Sequence, residues 1–248
     1  MNSPRFFCAT PLSDSAERSE IELPRATARH IAQALRMRVG DAVTLFNGEG
    51  GESAATITRI DKQGVAVRIG AFDPIEREIF HPSTLVQSVI AADMMDLVVR
   101  KAVELGVAAI VPVFAAYSQR APETRTVKRA ERWRQIAIAA CEQCGRNRVP
   151  PIADVVPLSA WLDLGRKGAG VVMLAPEAPM SYAEVLRKSV PRFIVVGPEG
   201  GFTRQEIDHA VRNGATLVRL GRTILRAETA ALAGLAAIVA CDDTPRTT

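Results

Sequence analysis

The chain has 248 residues, of which 48% are hydrophobic and 23% charged, with a formal net charge of +4. That composition suits a globular protein of one large domain or two modest ones. No apolar run reaches the roughly 18 residues a membrane span needs, and Met1-Asn2-Ser3-Pro4-Arg5 lacks a signal peptide's charged-then-apolar pattern, so a cytoplasmic protein with no membrane partner is expected.

Residues 1–72 read as a small, mostly β module. Arg5-Phe6-Phe7 could start a first strand, and Ala26 to Met37 carries a short helix pattern with Ile31, Ala34 and Leu35 at 3–4 spacing. Strand patterns follow over Ala42 to Phe46, Ala54 to Ile60 and Val65 to Ile69. Asn47-Gly48-Glu49-Gly50-Gly51 and Asp61-Lys62-Gln63-Gly64 between them are good turn chemistry. Strands this short usually close into a barrel, which leaves no free edge. Arg25, Arg29, Arg36 and Arg38 gather on the helix, where they either meet phosphates or solvate its outer face. Phe72-Asp73-Pro74 to Pro82, with its prolines and no periodicity, is the expected linker.

From Thr84 strands and helices alternate. Leu85 to Ala91 is a buried strand pattern. Met95 to Leu105 is a helix with Val98, Val99, Ala102 and Val103 inward and Gly106 as its stop. Ala109 to Phe114 is a strand, and Val127 to Cys144 a long helix with Trp133, Ile136, Ala137 and Ala140 on one side. A short helix over Pro157 to Leu164, a strand over Val171 to Leu174 and a helix over Tyr182 to Lys188 come next. Such βα alternation implies a parallel sheet covered on both faces. Ala227 to Cys241 is apolar almost all round, so burial on every side is expected.

Charge is unevenly placed. Residues 1–73 hold nine basic and nine acidic side chains, whereas 119–148 hold eight basic (Arg120, Arg125, Lys128, Arg129, Arg132, Arg134, Arg146, Arg148) against Glu123, Glu131 and Glu142. That excess is either a phosphate-binding stripe or a solvated face. Cys141 and Cys144 form a lone CxxC, and His30, His81 and His209 do not complete a zinc set, so the cysteines read as packing residues and no metal is expected.

The stretch from Phe193 to Ala240 carries the chemistry. Strand Phe193-Ile194-Val195-Val196 ends in Gly197-Pro198-Glu199-Gly200-Gly201, and strand Leu217 to Leu220 ends in Gly221-Arg222-Thr223-Ile224-Leu225-Arg226. Each loop feeds a helix. In parallel α/β sheets ligands gather at the carboxyl ends of strands, and glycines there let a ligand approach the backbone. The spacing is too short for a dinucleotide fingerprint.

Those blocks resemble the SPOUT RNA methyltransferases. GPEGGF (197–202), LGRTILRAETAA (220–231), CEQCGRNRVP (141–150) and the ELGV ending Asp96 to Val107 are similar to the bacterial family that methylates uracil N3 in small-subunit rRNA. The resemblance implies a PUA-like RNA-binding barrel over 1–73 and, over 74–248, a parallel-sheet α/β domain with a C-terminal trefoil knot. It implies S-adenosylmethionine as cofactor, held by Leu174, Pro176, Glu177, Gly197, Glu199, Gly200, Gly201, Leu220, Gly221, Ile224, Leu225, Arg226, Thr229 and Ala230. The partners it implies are 16S rRNA, or the small ribosomal subunit, and a second copy of the chain.

Uracil N3 must lose a proton as it gains a methyl group, which asks for a base or for cations near O2 and O4. Glu199 and Glu228 are the candidate carboxylates, Arg222 and Arg226 the candidate cations, with Arg226 favoured for electrostatic stabilisation. Glu228 has a second reading, an acid offsetting a helix dipole. Arg25, Arg36, Arg120, Arg146 and Arg148 are the expected rRNA contacts. One departure stands out: Met94 precedes Met95-Asp96 where the family usually has lysine. The rival readings are a ribose 2′-O methyltransferase of the same fold, a non-catalytic rRNA-binding assembly factor, and an unrelated nucleotide-binding α/β enzyme.

Overall fold

The computed structural model describes residues 3–12, 19–119, 123–165 and 167–242. The chain forms two compact units: one from the residues up to Glu78 together with Cys141–Val149, the other from Ile79–Ala140 and from Pro150 onward.

The first unit contains β1 (Arg5–Phe7), β2 (Glu20–Glu22), α1 (Arg25–Arg29) continuing into a π turn at His30–Ala34, β3 (Ala42–Phe46), β4 (Glu52–Ile60) and β5 (Val65–Asp73). These strands form one sheet in the order β1-β3-β4-β5-β2, antiparallel except where β1 runs parallel to β3. Strand β4 shows why: Ser53, Ala55 and Ile57 are buried while Ala54 and Thr56 are exposed, the two-residue period of a half-covered sheet. Between β4 and β5, Asp61 Oδ1 accepts from the amides of Gln63 (2.8 Å) and Gly64 (3.1 Å), closing the turn. Phe6, Leu23, Ile31, Leu45, Ile57 and Val67 share one core. Strand β2 was not foreseen, since Glu-Ile-Glu has no pattern of its own. It exists because Ile21 pairs with Val67 of β5.

The expected linker is not slack. Its Glu76, Arg77 and Glu78 pair with Arg148, Glu52 and Arg146 in turn, so this first unit runs past residue 73 to Glu78 and takes in 141–149. Asn147 is fully buried: its amide donates to Ile75 O (3.0 Å) and its Oδ1 accepts from Arg5 (2.6 Å). Cys141 is buried in the same place, and burial pushes its thiol up to about 12.

The second unit contains β6 (Thr84–Ser88), α2 (Ala92–Glu104), β7 (Ala109–Phe114), α3 (Glu123–Cys144, whose last turn belongs to the first unit), β8 (Val156–Pro157), α4 (Leu158–Leu162), β9 (Val171–Leu174), β10 (Met180–Ser181), α5 (Tyr182–Leu186), β11 (Phe193–Val196), α6 (Arg204–Arg212), β12 (Thr216–Arg219) and α7 (Ala227–Asp242). Its sheet is wholly parallel, in the order β10-β12-β9-β11-β6-β7-β8. The central strands β9 and β11 are buried along their whole length, as strands covered on both faces must be. Each fully buried aliphatic such as Leu85 or Ile194 contributes about 1.5–3 kcal/mol. The two-residue strands β8 and β10 at the sheet edges were too short to leave a sequence signal.

Helix α6 starts at a capping box, with the Thr203 hydroxyl accepting from Glu206 N and the Glu206 carboxylate accepting from Thr203 N. Helix α7 packs chiefly on α2 and β11. It is not buried on every side as expected. Ala227, Ala231, Leu235 and Ile238 are covered, but Thr229, Ala236 and Ala240 are exposed and Leu232 and Ala233 half-buried along the opposite face. Alanine carries too little side chain for composition to reveal which face is open.

Candidate functional site

Because the second unit's sheet is parallel, the loops after β6, β9, β11 and β12 leave the same edge. They enclose a cavity of about 800 Å³. Its apolar wall is built from Leu174, Val196, Phe202, Ile207, Leu220, Ile224 and Leu225, and its polar rim from Glu177, Glu199, Thr223, Arg226 and Glu228. Gly201 (φ +71°) and Gly221 (φ +72°) take left-handed backbone at the two bends, which a side chain would strain.

Most of the expected cofactor residues meet here. Leu174, Pro176, Glu177, Gly197, Glu199, Gly200, Gly201, Leu220, Ile224, Leu225, Arg226 and Ala230 line the cavity; Gly221 and Thr229 do not, and Thr229 faces outward on α7. Sequence reasoning missed Ala91 and Met94, which line it from the loop after β6 and the first turn of α2, and Phe202 and Ile207 from the start of α6. The strand-end rule, applied to β6 as well as to its neighbours, would have found the first two. Met94, where the family's lysine was expected, thus contributes an apolar side chain to the cavity.

Of the candidate catalytic groups Glu199, Arg226 and Glu228 line the cavity and Arg222 does not, and they differ in what holds them. Glu199 Oε1 accepts from the Ala91 amide at 3.2 Å, which ties the loop after β11 to the amino end of α2, where the helix dipole favours an anion. Arg226 and Arg222 are exposed, and their side chains have no hydrogen bond or ion pair among the described residues. Glu228, half-buried in the first turn of α7, likewise has none. Among the described residues no group of three or more His, Cys, Asp or Glu side chains is gathered to hold a metal ion. Nor is any helix long and apolar enough to cross a membrane.

The expected rRNA contacts separate. Arg25 and Arg36 are exposed in the first unit, where Arg25, Arg29, Gln33 and Lys62 line a second cavity of about 700 Å³. Arg120 lies outside the described residues. Arg146 is turned inward, with only 7% of its side chain exposed and Nε donating to Glu78 Oε1 at 3.0 Å, so it offers nothing to a phosphate. Arg148 is exposed but bidentate on Glu76, at 3.0 and 3.1 Å. In the stripe itself Arg132 is held by Asp96 and Arg134 by Asp154.

Comparison with known proteins places both units. The family model for an RNA methyltransferase domain matches residues 77–239, and that for an RNA methyltransferase PUA domain matches 23–70. Among named relatives, "Ribosomal RNA small subunit methyltransferase E" of Rickettsia conorii is 32% identical over 90% of this chain and 91% of its own. Its namesake in Bacillus subtilis is 27% identical over 94% and 95%. Among solved structures, a ribosomal RNA small subunit methyltransferase E from Neisseria gonorrhoeae bound to S-adenosyl methionine superposes with a TM-score of 0.87 at 35% identity, covering 96% of this chain and 97% of that one. A putative methyltransferase from Legionella pneumophila, also in complex with S-adenosyl methionine, gives 0.87 at 31% identity over 97% and 98%. The fold is accordingly that of these RNA methyltransferases, a parallel-sheet α/β unit with a PUA-like unit before it in the chain.

Proposed function

The chain belongs to the RNA methyltransferases and, within them, to the ribosomal RNA small subunit methyltransferase E family, and we propose from that premise that it methylates N3 of one uridine in 16S rRNA using S-adenosylmethionine. The observation that carries this reading is the cavity itself. The residues the sequence motifs single out as cofactor contacts converge on one apolar cavity with a charged rim.

The cavity fits such a cofactor. Leu174, Ile224 and Leu225 offer apolar surface for an adenine, and the loop backbone around Gly197 to Gly201 offers amide and carbonyl groups for its edge. Ile224 is 81% exposed, and a ligand covering its side chain would recover the cost of that exposure. When bound, the cofactor supplies an electrophilic methyl group on a sulfonium centre.

The chain's own residues manage the acceptor's charge. Arg226 faces the negative charge that spreads over uracil O2 and O4 as N3 is deprotonated, with Arg222 a second cation on the same loop. Glu228 receives the N3 proton. Arg226, whose guanidinium has no carboxylate partner among the described residues, supplies most of the stabilisation. Glu199 is occupied with Ala91 and acts as the tie that shapes the loop.

The target base must be reached unpaired or flipped from its stack. Arg25, Arg29 and Lys62 around the cavity in the first unit are the phosphate contacts of this reading. A second copy of the chain covers the open side of α7 along Leu232, Ala233 and Ala236, and the protein works in the cytoplasm, where ribosomal subunits are. Light scattering should return a dimer mass; a monomer at working concentration would remove the dimer from the account.

The deciding experiment is mass mapping of small-subunit rRNA from cells lacking the protein. One uridine should lose a base methylation, and the wild-type chain should restore it. An unchanged methylation map would overturn the reading.

A further inference from the structure

The turn after β7 places one large aromatic side chain in the open beside the cavity. Tyr117 is 58% exposed. A single exposed aromatic is ordinary on any surface; the seat and the fixing of this one are what set it apart.

The seat is Gly200, a residue of the cavity wall. A Cβ built on Gly200 would stand 3.0 Å from Tyr117 Cβ, 3.2 Å from Cγ and 3.3 Å from Cδ2. The tyrosine therefore lies directly on bare backbone at the rim, a spacing that any side chain at position 200 would force apart. The fixing comes from the turn. Ser118 Oγ accepts from Ala115 N at 3.0 Å, Ser118 N donates to Ala115 O at 3.1 Å, and Gln119 N donates to Val89 O at 3.2 Å. The Glu206 carboxylate, already engaged in the α6 capping box, accepts from Ala116 N at 2.8 Å. The backbone on both sides of Tyr117 is thus tied down, while its side chain makes no hydrogen bond or ring contact among the described residues.

A preorganised, solvent-facing aromatic plane beside an apolar cavity is what a splayed-out nucleobase needs, because stacking on such a ring replaces the neighbours the base leaves behind. We propose that Tyr117 is a stacking platform for an rRNA base at the mouth of the methyl-transfer cavity, and so a substrate-positioning residue of this enzyme. This rests on the reading of the cavity given above. The ring acts by its face, so an aromatic replacement keeps the function and an aliphatic one of similar bulk does not. Tyr117 is not itself among the residues that line the cavity, so cofactor affinity is expected to hold when its ring is replaced.

The test uses the full-length protein and unmethylated small ribosomal subunits from cells lacking it. Tyr117→Ala and Tyr117→Leu should each lower kcat/KM about tenfold or more, the loss expected for one base–aromatic stack, with the loss falling mainly on KM. Tyr117→Phe and Tyr117→Trp should stay within about twofold of wild type on the same ground, and S-adenosylmethionine affinity should be unchanged in all four. Wild-type kcat/KM in Tyr117→Ala, or a Tyr117→Leu variant as good as Tyr117→Phe, overturns the stacking role. Loss in Tyr117→Phe equal to that in Tyr117→Ala overturns it too, by assigning the work to the hydroxyl. A wild-type protein that leaves the subunits unmethylated would instead sink the reading of the cavity, so the two failures are distinguishable.

Discussion

Two groups of arginines that look alike in the sequence end in opposite states. In the first unit, Arg77, Arg146 and Arg148 each meet a carboxylate, Glu52, Glu78 and Glu76 respectively, and Arg5 shares Glu52. In the second unit, Arg226 at the rim of the cavity and Arg222 earlier in the same loop are exposed, with no carboxylate partner among the described residues. An arginine whose charge is already matched holds the fold together; one left unmatched is available for charge that arrives with a substrate. Local excess of basic residues, the signal read from the sequence, does not tell these apart, because the partners of Arg146 and Arg148 lie about seventy positions away along the chain.

The contrast can be broken most sharply at Arg226. Arg226→Ala should lower kcat by about 10²–10³-fold, the usual cost of losing one group that stabilises transition-state charge, while thermal unfolding and cofactor affinity stay as in wild type. Normal turnover would take Arg226 out of the mechanism. The mirror-image change is Arg146→Ala, which strands the Glu78 carboxylate and should cost about 3 kcal/mol in denaturant unfolding, with turnover per folded molecule unaltered. A stable variant with impaired rRNA affinity would return Arg146 to the substrate side of the comparison.

Acid should sharpen the same contrast. The guanidinium of Arg77, helped by Arg5, holds the Glu52 carboxyl at about 2, well below its ordinary 4.5. A depressed folded-state value means the pairing stabilises the fold fully above about pH 4.5 and is lost as pH falls from there towards about 2. Denaturant midpoints measured from pH 6 down to pH 3 should therefore fall more steeply for wild type than for Glu52→Gln. Parallel slopes would mean the pair contributes nothing to acid stability. This effect is the smallest of the three because only part of the window lies in that pH range.

Much of the second unit was legible because its physics is local. Hydrophobic runs such as Phe193 to Val196 announce buried parallel strands, and the glycine loops after them announce where a ligand sits. What escaped depended on partners distant in sequence. Met94 lines the cavity only because β6 lies next to β11 in the sheet. The inward turn of Arg146 depends on Glu78, and the existence of β2 on β5. The open side of α7 was hidden for another reason: both of its faces are apolar, so periodicity could not choose between them.

The account rests on the cavity bounded by the loops after β9, β11 and β12 being a cofactor site. Isothermal titration of the purified full-length protein with S-adenosylmethionine tests that most directly. A saturable heat with one site per chain is the predicted result; no heat of binding for S-adenosylmethionine or for its demethylated product would contradict it.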